Sequence, residues 1–111
     1  MAENIYELRA EFFKALSHPT RLKILDVILN EKEICVCEIV NKIGVDQSTI
    51  SKHLNILKKA GILESKKEGL SVFYKVRFPC MKDYFICIDK TIKCDLVTKV
   101  SFIDSSKDKV E

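Results

Sequence analysis

This 111-residue sequence lacks the segments that would place it in or across a membrane. Charged residues interrupt its apolar stretches every few positions, so no run approaches the roughly 20 apolar residues that a spanning helix needs. Residues 1–4, Met-Ala-Glu-Asn, do not begin the basic and then apolar pattern of a secretion signal. These absences predict a cytoplasmic protein.

Glycine and proline are scarce, with three and two residues, and tryptophan is absent. The sequence shows no glycine-rich phosphate loop, no Ser/His/Asp set and no catalytic carboxylate pair, so we expect that it is not an enzyme. With 47% hydrophobic and 32% charged residues, it is typical of a globular protein. Its length suits one domain, predicted at 1–103, followed by a polar, disordered tail at 104–111.

Cysteine, in contrast, is abundant, with five residues. The number is odd and no secretion signal is visible, so a framework of structural disulfides is not expected. Reduced thiols that bind a metal or respond to oxidation are one interpretation. Buried thiols that act as small hydrophobic side chains are the alternative.

Positive charge is concentrated in one part of the chain. The formal charge is −2 over residues 1–46, +5 over residues 47–77 and zero over residues 78–111. A block of this kind favours a polyanionic partner, although a solvated lysine-rich face would have the same composition.

Apolar periodicity predicts four helices in the first half of the chain. Ser17 is the expected N-cap of the second helix, Gly44 the expected end of the third and Asp46 the expected N-cap of the fourth. The helices are predicted at about 4–16, 19–30, 35–43 and 47–60. Because a short glycine-containing turn joins the last two, they have the form of a helix-turn-helix.

The periodicity changes to alternation after the fourth helix. Strands are predicted at 62–65 and 72–78, with the turn between them at 66–69, and helical spacing returns over 80–100. The predicted fold is mainly α with a β-hairpin wing: a winged helix-turn-helix in the order α-α-α-α-β-β-α.

The fourth helix combines a buried stripe with a polar face. Ile50, Leu54 and Leu57 lie within about 60° of one another on a helical projection. The opposite face carries short polar groups for base edges and lysines for phosphates. The residues predicted to contact double-stranded DNA are Gln47, Ser48, Thr49, Ser51, Lys52, Asn55, Lys58 and Lys59 on this helix, and Lys66, Lys67, Lys75 and Arg77 on the hairpin. His18 and His53 are interpreted as packed boundary residues.

Three segments resemble the ArsR/SmtB family of metal- and thiol-sensing repressors. They are residues 15–25 (ALSHPTRLKIL), residues 35–39 (CVCEI) and residues 47–63 (QSTISKHLNILKKAGIL). The resemblance covers roughly residues 8–78. It implies a homodimer formed by the first and last helices, which binds a twofold-symmetric operator and releases it when an inducer binds.

The same resemblance identifies Cys35 and Cys37 as the sensing pair. In a regular helix, residues i and i+2 point about 200° apart, so both sulfurs can face one ion only if the first turn distorts. In family members that use this box alone for arsenic, a third cysteine stands where this sequence has Val40. The zinc ligands of the family's last helix are also missing, because this last helix contains no histidine.

A third sulfur would therefore come from Cys80, Cys87 or Cys94, which lie at seven-residue spacing, about 10 Å apart along a helix. The expected inducers are thiophilic ions such as arsenite, cadmium or zinc, and no obligatory cofactor is predicted. Redox sensing is the alternative, in which Cys35 or Cys37 forms a disulfide or persulfide-derived bridge with Cys87 or Cys94.

Two other classes of protein remain open at this point. A thiol enzyme or metal-trafficking protein could use Cys35 and Cys37, but it leaves the basic block without a role. A winged helix could also bind protein, in which case its interaction would lack the steep salt dependence of DNA binding.

Overall fold

The structure is a computed structural model that describes residues 4–105, with side chains through residue 96. Its elements are α1 (Ile5–Leu16), α2 (Pro19–Glu31), β1 (Ile34–Cys35), α3 (Val36–Ile43), α4 (Gln47–Lys59), β2 (Leu63–Glu68), β3 (Ser71–Val76) and α5 (Met81–Ser105). The predicted order of helices and hairpin is confirmed. Strand β1 is an addition, since two residues are too few to show an alternating pattern. None of the helices within residues 4–105 has the length and apolar character needed to cross a bilayer.

Capping residues set the boundaries of the first helices. The prediction that Ser17 caps α2 is wrong, because the Ser17 backbone N–H bonds to the Lys14 carbonyl and Ser17 thereby ends α1. The N-cap of α2 is His18, whose Nδ1 accepts a hydrogen bond of 3.1 Å from the Thr20 N–H. Pro19 then occupies the first turn, where no helical hydrogen bond needs its missing N–H.

The turn between α3 and α4 has the predicted boundaries. Gly44 ends α3 in the left-handed conformation, with φ of 84°. Asp46 is the N-cap of α4, and its side chain accepts from the Thr49 N–H. The predicted stripe of α4 is confirmed, since Ile50, Leu54 and Leu57 are fully buried. They form one core with apolar side chains of the neighbouring elements, namely Ile24, Leu25, Ile28, Ile34, Ile39, Ile62 and Leu63.

The sheet has three antiparallel strands in the order β1-β3-β2. The register pairs Glu68 with Ser71, so the turn consists of Gly69 and Leu70 and not of residues 66–69 as predicted. Gly69 takes φ of 63° in the first turn position, as in the type II′ turns whose twist matches paired strands. The two lysines predicted for the tip therefore lie within β2, and the tip carries the fully exposed Leu70.

The chain divides into two compact units, one ending at Pro79 and one beginning at Cys80. The second unit contains α5, which continues through Ser105 and so includes the first two residues of the predicted tail. The rest of that tail, 106–111, lies outside the described residues.

Candidate nucleic-acid interface and thiol pair

The polar face of α4 is open to solvent. The predicted contact residues that are exposed on this helix are Gln47, Ser48, Ser51, Lys52, Asn55, Lys58 and Lys59, and Thr49 is half-buried. The buried stripe on the other side holds the helix against α2 and α3, which leaves this face free for a ligand. The predicted residues thus lie on one exposed surface.

Asp46 organises the first turn of α4. Its Oδ2 accepts from the Ser48 hydroxyl at 2.6 Å and from the Thr49 N–H at 3.1 Å, and its Oδ1 accepts from the Thr49 hydroxyl at 2.9 Å. These bonds lower the pKa of the Asp46 carboxyl to about 2, and the bond from Ser48 has the largest effect. The sequence predicted the cap but not this role, in which Asp46 fixes two hydroxyl groups of the proposed reading surface.

The basic residues of the hairpin differ in their partners. Lys66 forms ion pairs with Glu33 at 3.2 Å and Glu68 at 3.3 Å, and hydrogen bonding to these carboxylates raises the pKa of Lys66. Lys75 pairs with Glu64 at 3.3 Å. Surface pairs of this kind contribute little to stability, but they neutralise the cation.

Four predicted contact lysines keep their charge uncompensated. Within residues 4–96, no carboxylate forms an ion pair with Lys52, Lys58, Lys59 or Lys67. Arg77 also lacks a carboxylate partner in this range and donates from its guanidinium to the Gly61 carbonyl at 3.2 Å, at the start of the wing. Among the predicted contact residues, the unpaired positive charge therefore lies mostly on α4, with Lys67 and Arg77 on the hairpin.

Two histidines and an arginine connect α2 to α4. The His18 and His53 rings lie 4.6 Å apart, and Arg21 Nε donates to His53 Nδ1 at 3.2 Å. Burial, followed by the charges of His18 and Arg21, lowers the pKa of His53, so its ring is neutral at neutral pH. Both histidines are half-buried packing residues as predicted. No local pattern indicates the role of Arg21, because its contact with His53 spans 32 positions.

Cys35 and Cys37 approach each other closely, with 2.8 Å between their sulfurs. The prediction that they point apart is wrong because it placed both in a regular helix. Cys35 has extended backbone angles, φ −86° and ψ 161°, and is the N-cap of α3 and the last residue of β1. Both sulfurs can therefore face one ligand without unwinding of the helix.

The two thiols differ in exposure, and a hydrogen bond connects them. Cys35 is buried and Cys37 is exposed, and the Cys35 sulfur also lies 3.6 Å from Glu38 Oε1. The hydrogen bond with Cys35, then burial and the negative charges of Cys35 and Glu38, raises the pKa of Cys37. Cys37 is thus a protonated thiol at neutral pH that must lose its proton before it can ligate a metal.

Strand β1 connects the thiol pair to the wing. Cys35 pairs with Phe73 of β3, and Phe73 pairs in turn with Lys66 of β2. Because paired residues in an antiparallel sheet point to the same face, these three side chains share one face of the sheet. Cys35 therefore joins α3, the first helix of the helix-turn-helix, to the central strand of the wing.

The cysteines of the second unit are exposed: Cys80 precedes α5, and Cys87 and Cys94 lie within it. Across the described part of the chain, no three Cys, His, Asp or Glu side chains converge as a metal site. The thiol pair alone supplies two sulfur ligands, which fits part of the coordination shell of a thiophilic ion.

Comparison with known proteins identifies the family. The model of the bacterial regulatory proteins of the arsR family matches residues 18–65. A helix-turn-helix transcriptional regulator of Methanocaldococcus jannaschii is 45% identical over 85 residues, which cover 77% of this chain and 96% of that protein. The cadmium resistance regulatory protein CadC of Listeria innocua is 47% identical over 66 residues, 60% of this chain and 56% of CadC.

A solved structure agrees with these sequences. The homodimeric winged helix-turn-helix DNA-binding domain of a Mycobacterium bovis protein aligns with a TM-score of 0.70 at 27% identity, over 84% of this chain and 91% of that one. The fold, the sequence of the helix-turn-helix and the similar proteins all indicate the same family. This chain belongs to the ArsR family of winged helix-turn-helix transcriptional regulators.

Proposed function

We propose that this protein is a homodimeric repressor that binds a twofold-symmetric operator and releases it when Cys35 and Cys37 bind a thiophilic metal or metalloid. The observation that carries the sensing part is the 2.8 Å approach of the two sulfurs at a residue shared by β1 and the N-terminus of α3. The test is a titration of the protein bound to DNA, using a duplex selected from a random library. Arsenite, cadmium and zinc are added separately, and loss of the complex is measured.

DNA binding is supported by the arrangement of charge and polar groups. The exposed face of α4 has the short polar side chains near its N-terminus that a recognition helix uses for base edges. The uncompensated lysines of α4 and the wing suit the phosphates on either side. All twelve residues predicted for DNA contact remain proposals, with smaller contributions expected from Lys66 and Lys75 because carboxylates pair with them.

Homodimerisation is supported by apolar side chains that are exposed to solvent in a single protomer. On α1, Ile5, Leu8 and Phe13 are 52%, 48% and 64% exposed. On α5, Ile88 and Ile92 are about half exposed at helical spacing. Exposed apolar faces of this extent are typical of interfaces, and the Mycobacterium bovis neighbour is homodimeric.

An Ile88→Glu/Ile92→Glu variant is expected to be monomeric, because it places two carboxylates within the proposed interface. Light scattering after size exclusion should give a mass near 12.8 kDa for the variant and about twice that for the wild type. Lys90→Glu, on the opposite side of α5, is the control and should remain dimeric. A wild-type mass of one chain at micromolar concentration would contradict the proposal.

The mechanism of release follows from the position of Cys35. Binding of a thiophilic ion requires both thiols to lose their protons, which removes the hydrogen bond between them. Two thiolates repel each other, so their sulfurs must separate unless a cation lies between them. Either change acts on the Cys35–Phe73 pairing and on the first turn of α3, and so on both DNA-contacting parts.

The proposed metal site needs a third ligand besides Cys35 and Cys37. Val40 provides no ligand, so we assign the third sulfur to Cys80, Cys87 or Cys94. Substituting these three cysteines one at a time identifies the ligand as the variant with weakened arsenite binding.

The affinity for cadmium is expected to rise with pH. Because hydrogen bonding to Cys35 raises the pKa of Cys37, the protein releases protons on binding at neutral pH, and each released proton gives up to about tenfold in affinity per pH unit. The proton of Cys37 alone should increase the apparent affinity up to about tenfold from pH 6 to pH 7, measured by thiolate-to-metal absorption. A pH-independent affinity would show that Cys37 is already ionised, contrary to this account.

Thiol oxidation is the second candidate, favoured by the free, exposed thiols of Cys37, Cys87 and Cys94. In this alternative, Cys35 or Cys37 bonds to Cys87 or Cys94, two thiols lose two electrons and two protons, and hydrogen peroxide is reduced to water. An oxidant should then release DNA in the absence of metal, and a reductant should restore binding. Release by arsenite under reducing conditions favours the metal proposal.

A further inference from the structure

The first turn of α4 fixes the direction of a hydrogen bond that a structure without hydrogens normally leaves open. The Asp46 carboxylate is ionised at neutral pH and can only accept. The Ser48 hydroxyl, 2.6 Å from Asp46 Oδ2, must therefore be the donor, at the distance typical of a charge-assisted bond. The Thr49 hydroxyl donates to Oδ1 for the same reason.

A serine hydroxyl has one proton, so its donation to Asp46 leaves only the lone pairs of the oxygen for other partners. Ser48 is exposed in the first turn of α4, the part of a recognition helix that reaches base edges. Thr49 is half-buried, so Ser48 is the hydroxyl that a base meets.

Resting on the proposed DNA binding, we propose that Ser48 acts as an acceptor only and selects a base with an exocyclic amino group, adenine or cytosine. In the major groove, the donors are the adenine N6 and cytosine N4 amino groups, whereas guanine and thymine present acceptors. A guanine or thymine opposite Ser48 would place acceptor against acceptor, next to the negative charge of Asp46. Ser48 and Asp46 together thus determine specificity at this position.

The test deletes the two partners of the contact separately and together. Selection from a random duplex library provides the operator, and Ser48→Ala locates the sensitive base pair. At that pair, purine replaces adenine, or 2-pyrimidinone replaces cytosine, which removes only the amino group. We expect each deletion to weaken wild-type binding about three- to tenfold, the range of one hydrogen bond, and to have no further effect in Ser48→Ala.

Asp46→Gly is the matched variant for the direction of the bond. Glycine is tolerated at an N-cap, so α4 should remain intact, but it has no side chain to accept from Ser48 and leaves the serine proton free to donate to a base. This variant should accept guanine or thymine at the sensitive position within about threefold of the preferred base.

The possible failures are distinguishable. If selection enriches no duplex, the proposed DNA binding is wrong and this inference falls with it. If a duplex is enriched but Ser48→Ala binds it normally, only the inference is overturned. The same holds if a 7-deaza purine, which lacks the N7 acceptor, weakens binding by the wild type but not by Ser48→Ala. Unchanged base preference in Asp46→Gly would likewise refute the role of Asp46.

Discussion

A Cys35→Ser/Cys37→Ser variant is expected to bind the selected operator as the wild type does and to keep it bound when arsenite or cadmium is added. Serine preserves size and hydrogen bonding at both positions but does not bind soft metals. Allosteric release typically corresponds to a 5- to 150-fold loss of DNA affinity, and the variant should lose this response entirely. Fluorescence anisotropy of labelled operator, with and without the ion, measures both quantities.

Single substitutions show how much each thiol contributes to the release of DNA. Cys35→Ser affects the buried sulfur at the junction of β1 and α3, and Cys37→Ser affects the exposed one. If both sulfurs ligate the ion, each single variant should bind it weakly and release DNA poorly. A Cys35→Ser/Cys37→Ser protein that releases DNA at the wild-type concentration of arsenite would show that sensing occurs elsewhere in the chain.

The control for folding is DNA binding by the variant itself. Cys35 is 8% exposed and directly precedes α3, so its substitution could disturb the helix-turn-helix without any relation to sensing. An unchanged operator affinity and an unchanged thermal transition exclude that explanation. Reduced affinity before inducer is added would instead assign Cys35 a structural role, which is the alternative that the sequence left open.

The sequence predicted the helices well because each has apolar residues at helical spacing. Ile50, Leu54 and Leu57 recur at helical spacing, and all three are fully buried. Asp46 and Gly44 were identifiable because their capping chemistry is local. The winged helix-turn-helix order follows from such local signals, and only β1 was missed.

Features that depend on distant contacts were not predictable. Cys35 is extended because Ile34 and Cys35 pair with a strand about 40 positions later, and this pairing removes Cys35 from the helix that its neighbours form. The wing turn was misplaced because the lysines before Gly69 are polar, whereas the register places them in β2. The conclusion that both sulfurs can face one ligand, on which the sensor proposal depends, therefore came from the structure.

Binding to DNA should weaken steeply as salt concentration rises. Four of the predicted contact lysines in each protomer have no carboxylate partner among the described side chains, namely Lys52, Lys58, Lys59 and Lys67. A dimer thus offers eight, and at about 0.9 per phosphate the slope of log K against log salt is about −7. Affinity should then fall about 10⁴-fold from 50 to 200 mM salt.

Two variants test whether unpaired lysines supply this slope. Lys52→Gln removes one free cation per protomer and should make the slope shallower by about 2 in the dimer. Lys75→Gln/Glu64→Gln removes an ion pair without changing net charge, so its slope should stay near that of the wild type. Equal slopes for the two variants would show that ion pairing does not decide which lysines meet phosphate. A slope near zero in the wild type would favour a winged helix that binds protein, because only the release of counterions from a polyanion produces such steep dependence on salt.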